Sequence, residues 1–361
     1  MKKLSIAIVA LFFAFVGCNN QQDGDTSETT PVQANPIEEF AKLNTFLKKF
    51  DEPSQTFKAP TDQQIKVNGR YGTIIHLNPA DLETEDGQPI GKEVVIELKE
   101  LTTRQQLLRA NAQTVSEGQL LVSGGAYYIN ATSEGRQLRL KPGKEYSIEF
   151  PKLSEDEMSL YYGQRDSTGK MNWVEGNQKL GLFDSNANGL KEYSAVIITG
   201  QGRYADTATV PMKNMSKEEN EKIQKQVRVS NMVYSPVSLN KFGWINCDRF
   251  FKPESKRTDV IFTFNNKIED VNYANVYLIF EDIKSVMQTS CYFHNDTIEG
   301  NVFANIPVGM KVKILAVSYQ HEKIFAMLSG EMSVQENHVE KITLKEMTEG
   351  EFDQLLKDIN R

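Results

Sequence analysis

The chain has 361 residues, with 48 acidic side chains against 41 basic ones and a formal net charge of −7. An acidic body repels phosphate backbones and anionic headgroups, which argues against nucleic acid as a partner and against a polybasic membrane contact. The length exceeds one ordinary domain, so two are expected.

The first element is a leader. Met1-Lys2-Lys3 is basic, Leu4 to Val16 is apolar, and Gly17 stands directly before Cys18. This is the grammar of a secretory signal, and the run is short of the ~20 residues a spanning helix needs. Phe15-Val16-Gly17-Cys18 resembles a bacterial lipobox. The resemblance implies removal of residues 1–17 and lipidation of Cys18, so that the lipid bilayer is the first partner. Lipid chains contribute about 0.8 kcal/mol per buried methylene, and two or three suffice as an anchor. Residues 18–35 follow as a tether, because Asn, Gln, Thr, Asp and Pro cannot bury enough surface to offset chain entropy. Asp23 and Asp25 are a thin version of the acidic export signal found just after the lipidated cysteine in Bacteroidota lipoproteins. The expected location is the cell envelope, at the outer membrane, on either its periplasmic or its surface face.

Residues 36–152 read as a docked helix plus a first β-sandwich. Ile37, Phe40, Leu43, Leu47 and Phe50 recur at helical spacing, with Asn35 as a cap, Pro36 in the first turn, and Lys48 and Lys49 at the end. The helix is expected to dock on the domain that follows it. Short β-rich runs then alternate with turns: Thr73–Leu77, Glu93–Leu98, Gln119–Val122, Ala126–Ala131, Gln137–Leu140 and Ser147–Phe150, with Gly124-Gly125 read as one of the turns. Strands at about ten-residue spacing indicate an antiparallel sandwich, with room for one short helix near Leu101–Ala110. The segments Leu77-Asn78-Pro79-Ala80-Asp81-Leu82, Asp86-Gly87-Gln88-Pro89-Ile90-Gly91, Val94 to Leu98 and Leu120 to Gly125 resemble the β-sandwich modules of uncharacterised Bacteroidota lipoproteins. They are more distantly similar to ZU5-type sandwiches, and Leu239 to Phe250 also resembles a segment of that lipoprotein group. This likeness implies a fold and transfers no catalytic residue.

Residues 153–230 read as a polar linking region, with a capping box at Ser216-Lys217-Glu218-Glu219 opening a short helix. Residues 231–361 return to strands and read as a second, immunoglobulin-like sandwich. A terminal helix follows the capping box Thr348-Glu349-Gly350-Glu351, with Phe352, Leu355, Leu356 and Ile359 on one stripe. The expected fold class is therefore mainly β: two antiparallel β-sandwich-like domains with short flanking helices behind a signal and a tether.

Each candidate for chemistry competes with a plainer reading. Asp184, Asn186, Asn188 and Glu192 form a partial calcium loop, with oxygen ligands at alternate positions and Gly189 at the sixth. Ala195 replaces the bidentate glutamate, and Asp, Asn and Gly are also what a tight turn uses. No other cofactor is expected. Gly200 to Ala205 matches a dinucleotide fingerprint in letters, but Thr207, Thr209 and Pro211 oppose the required helix. Ser167 and Lys170 have a penicillin-binding spacing without its companion motifs and read as a hairpin. His76, His294, His321 and His338 lack a zinc spacing. Cys247 and Cys291 either form one disulfide, which an oxidising compartment permits, or stay as two buried thiols. Tyr127, Tyr128, Tyr161, Tyr162, Trp173 and Trp244 are candidates for a glycan groove or for sandwich core.

No motif carries a complete reaction. The sequence is read as a non-catalytic envelope lipoprotein, a binding or assembly module for an envelope protein or a glycan. The alternative is an all-β hydrolase with a carboxylate pair drawn from scattered residues.

Overall fold

A central antiparallel sheet runs in the order β1 (Gln55–Pro60), β5 (Glu93–Leu101), β7 (Gln119–Ser133), β15 (Gly243–Phe250), β10 (Met158–Arg165) and β11 (Met171–Leu180). Three short strands attach to it: β4 (Leu82–Thr84), β6 (Val115–Ser116) and β8 (Arg136–Leu140). The computed structural model describes residues 36–361 except 155, 167–168, 181–193, 200–205, 212–232, 235, 266–270, 295–296 and 361.

A second sheet, β14 (Val237–Leu239), β9 (Tyr146–Glu149), β3 (Ile74–Leu77) and β2 (Ile65–Asn68), closes the first sandwich. Alternation decides which side chains meet between the layers. Val94, Ile96 and Leu98 of β5 face Ile65, Val67, Ile75 and Ile148 in one buried cluster. Glu100 is nearly fully buried on β5 and accepts hydrogen bonds from Tyr71 N (2.9 Å), Thr73 N (3.0 Å) and Gln55 Nε2 (2.7 Å), which ties the 69–73 turn to the sheet.

The second sandwich pairs a three-stranded sheet, β20 (Val302–Pro307), β16 (Arg257–Phe264) and β24 (His338–Ile342), with a seven-stranded one. The larger sheet runs β19 (Thr297–Glu299), β18 (Ser285–His294), β17 (Tyr273–Phe280), β21 (Lys311–Gln320), β22 (Lys323–Leu328) and β25 (Lys345–Met347), with β23 (Met332–Ser333) beside β21. β16 and β24 run parallel, whereas every other strand pair among the described residues is antiparallel. A two-stranded hairpin, β12 (Ser194–Thr199) with β13 (Asp206–Pro211), pairs by itself. The protein is thus mainly β, with antiparallel sandwich-like layers and few helices.

The helices cap the second sandwich. α1 (Pro36–Lys48) buries Leu43, Phe46 and Leu47 on the far face of the larger sheet of that sandwich, and the Phe46 ring stacks on Tyr319 at 4.4 Å. This corrects the expectation that α1 docks on the sandwich next to it in sequence. The apolar face was legible, but the surface it covers lies some 270 residues further on. α3 (Glu349–Lys357) joins it with Phe352 and Leu356, and its Thr348–Glu351 capping box forms as read from the sequence. α2 (Arg104–Arg109) carries a further box, Thr103 with Gln106. The Asn35 cap and the Ser216 box lie outside the described residues.

Two strands within the stretch read as a polar link, β10 and β11, complete the central sheet, and Trp173 is wholly buried there. β15, from the segment read as the second sandwich, lies between β7 and β10. The central sheet therefore draws strands from all three expected segments, and Asn35–Arg361 holds together as one compact unit. Gly124-Gly125 is not a turn but the middle of one 15-residue strand. Opposite these glycines the β15 register shifts between Asn246 and Asp248, which is a bulge. Gly125 has φ +118, and a Cβ on Gly124 would stand 2.5 Å from the Cys247 carbonyl oxygen, so bulky residues are refused at both positions. Past the bulge β7 reaches the second sandwich: Ser123 N donates to Lys284 O (2.9 Å), and Leu120 joins that sandwich's core.

Thr114 completes this seam. Its N–H donates to Val286 O (2.8 Å), and its Oγ1 accepts from Val286 N (2.9 Å). Ser285 Oγ meets that same hydroxyl and donates to Leu121 O at 2.8 Å.

Candidate functional site

Among the described residues a recess of about 350 Å³ opens at the edge of the central sheet, lined by Tyr162, Glu175, Gly176, Asn177, Gln178, Asn240 and Lys241. Tyr162 comes from β10, residues 175–178 from β11, and Asn240 and Lys241 from the β14–β15 turn. The turn is held by Tyr146, whose ring packs on Phe242 (5.3 Å) and whose hydroxyl donates to Lys241 O at 3.4 Å. Gly176 lets the Tyr162 ring lie against its own backbone, since a Cβ there would meet Cε2 at 2.9 Å.

Lys241 places its Nζ 4.0 Å from the centroid of the Tyr162 ring. Such a cation–π contact contributes about 0.5–1 kcal/mol at exposed sites. Partial burial, helped by the nearby Glu145 carboxylate, raises the Tyr162 pKa, so the phenol stays protonated. Gln178 donates from Nε2 to Ser238 O (2.8 Å), while its Oε1 has no partner among the described residues. One ammonium, one phenol ring and the carboxamides of Asn177, Gln178 and Asn240 thus line a shallow surface, whereas Glu175 pairs across the strands with Tyr161, so its side chain lies on the other face of the sheet. The groups on the recess can donate and accept hydrogen bonds in several directions. The recess has no serine or cysteine nucleophile and no pair of carboxylates, so the two-carboxylate arrangement of a glycosidase is not assembled there.

Other sequence candidates fall elsewhere. Cys247 and Cys291 are free thiols in different core clusters, so the bridge weighed from the sequence is not formed. Each points into its own sandwich. Burial raises the Cys247 thiol pKa well above its usual value and pushes Cys291 up to about 12, which keeps both protonated and unreactive. Of the six aromatics, Tyr127, Tyr161 and Trp173 are core residues, and Trp173 Nε1 donates to Gln113 O at 2.6 Å. Tyr128 and Trp244 pack together at 5.2 Å with Arg165 over the Trp244 ring, whereas Tyr162 alone reaches the recess.

His76 lies 3.5 Å from Glu149, and the His338 Nδ1 accepts from Gln335 N (3.1 Å). No group of three or more metal-ligating His, Cys, Asp or Glu residues occurs among the described residues. Lys170 sits at the end of a β10–β11 hairpin turn in which its N–H donates to Asp166 Oδ1 (3.0 Å), as the hairpin reading expected. Cys18, the loop of Asp184, Asn186, Asn188 and Glu192, and Gly200 to Ala205 lie outside the described residues.

Sequence reasoning missed one buried acid. Asp248 sits at the bulge with no exposure, and Asn246 Nδ2 donates to its Oδ2 at 2.6 Å. Burial raises its pKa well above the carboxylate range, against the opposing pull of Ser123, Asn246, the Gly124 N–H and Lys284. Its only signal in the sequence was an acid one position after Cys247 in a segment, Trp244 to Phe250, that mixes large apolar residues with polar ones. Solvent does not reach it, so it acts on stability.

No protein-family model matches the chain, and no curated protein matches it.

Proposed function

We propose that this chain is a lipid-anchored lipoprotein of the cell envelope that serves as a non-catalytic binding module. The reading rests on Phe15-Val16-Gly17-Cys18 at the end of a basic-then-apolar leader. A mainly β body supports it, as does the finding that no helix among the described residues is long and apolar enough to cross a membrane. The resemblance to Bacteroidota sandwich lipoproteins points the same way and names the outer membrane as the destination. Lipid at Cys18 holds the body at the bilayer through the 18–35 tether.

The recess is the ligand surface in this reading. Carboxamides beside an ammonium and an aromatic ring suit a hydroxyl-rich ligand such as a glycan, because each hydroxyl can donate to a carboxamide oxygen and accept from a carboxamide or ammonium N–H. Two measurements test the two halves. Mass spectrometry of the mature N-terminus should find an acylated Cys18, and Cys18→Ser should move the protein to the soluble fraction; an unmodified Cys18 or a retained Met1 refutes the anchor. On a glycan array the protein should bind a subset of sugars, and Asn177→Ala with Asn240→Ala should abolish that binding. No binding to any sugar rules out the glycan.

A further inference from the structure

The three-stranded sheet of the second sandwich shows an outer face unlike the others. Ile261 on its central strand β16 is 41 % exposed. Its cross-strand partners are Val302 on β20 and Val339 on β24, which are 41 % and 57 % exposed. Cross-strand partners share a face, so the three make one apolar row straight across the sheet. They are half of the large hydrophobic side chains left exposed among the described residues, and Val339 is the most exposed of them. Scattered exposed apolar residues need no explanation, whereas a contiguous row does.

The charges around the row indicate what covers it. Asp259 lies two residues before Ile261 on β16, and Lys341 lies two residues after Val339 on β24. Because β16 and β24 run parallel, the acid and the base share the outer face on opposite sides of the row. Both are exposed, and neither makes an ion pair among the described residues. Asp259 Oδ1 accepts from Asn305 N (3.0 Å), which fixes the carboxylate in place. A two-fold axis lying nearly along the row turns the face onto itself, apolar row over apolar row. The same rotation carries Lys341 of each copy over Asp259 of the other, so the contact is closed and two ion pairs form at once.

We propose that this face is an isologous interface, and that a second copy of this chain covers the Val302–Ile261–Val339 row, with Asp259 and Lys341 pairing across it. The interface leaves the recess free, since the recess lies on the first sandwich.

Cysteine cross-linking of the full chain in its native membranes tests this. Cys247 and Cys291 are buried and stay silent. Ile261 lies beside the proposed axis, so Ile261→Cys should give a disulfide-linked homodimer under mild oxidation. Val174→Cys, exposed to a similar degree at 38 % on the central sheet, should not. In the Ile261→Cys background, Lys341→Asp sets acid against acid and should cut the cross-linking rate about tenfold, and adding Asp259→Lys should restore it. Equal cross-linking at 261 and 174, an adduct with a different protein, or a rate indifferent to the charge reversal overturns the proposal.

Discussion

The two large sheets solve the same burial problem differently. The seven-stranded sheet is covered on both faces, by the three-stranded sheet on one side and by α1 and α3 on the other. Every residue of its central strand, Tyr273–Phe280, is buried. The central sheet of the first sandwich has a mate across one face, while on the other, among the described residues, α2 and the 110–117 segment cover one end. Its edge strand β1 accordingly alternates between half-buried and exposed positions. A continuous apolar run therefore marks a strand with two covered faces, and strict alternation marks one with a single covered face. The recess forms at the edge of the first sandwich, where β11 meets β14.

That contrast can be broken from the helical side first. Phe352 is wholly buried against Phe46 and Phe50. Phe352→Ala should cost about 3–5 kcal/mol in chemical denaturation, because the cavity lies between the helices and the seven-stranded sheet. On the first sandwich the counterpart is polar. Glu100→Ala strips the acceptor from three donors, one of them the buried Thr73 N–H, and should cost about 3 kcal/mol. Glu100→Gln, which keeps an acceptor oxygen, should cost clearly less in the same titration.

The seam between the sandwiches has a pH signature. The Asp248 pKa is raised on folding, so the folded state binds its proton more tightly than the unfolded state does. Its contribution is fully present below the ordinary value of 3.8 and is lost as pH rises through the elevated folded value. Urea midpoints measured across that range should fall in the wild type and fall less in Asp248→Asn. Parallel curves for the two proteins would show that Asp248 is not the group responsible.

Smaller effects follow. Thr348→Ala removes the cap of α3 and should cost about 1 kcal/mol. Lys241→Ala at the recess removes the cation–π contact with Tyr162 and should cost no more than about 1 kcal/mol, too little to unfold the protein, so a loss of ligand binding in that variant reports on the site and not on folding.

Legibility in the sequence followed the range of the interaction. The Thr348–Glu351 box and the hairpin at Asp166 to Lys170 depend on neighbours a few residues away, and they stand where they were read. The Gly124-Gly125 pair was misread because a bulge and a turn call for the same residue, and only the opposing β15 backbone decides between them. The recess was almost invisible. Of its seven residues the sequence singled out Tyr162 alone as a ligand candidate, since its walls come from β10, β11 and a turn more than 60 residues further along.

By itself the sequence determined the β class, the apolar stripe of the terminal helix and its Thr348 cap, since periodicity and capping are properties of short segments. Tertiary structure decided which faces meet. It carried α1 to the distant sandwich, set β15 between β7 and β10, and kept Cys247 and Cys291 in separate cores. Burial is not directional, so an apolar face carries no record of its partner. Partners are selected by shape, register and connection, and these exist only once the whole chain has packed.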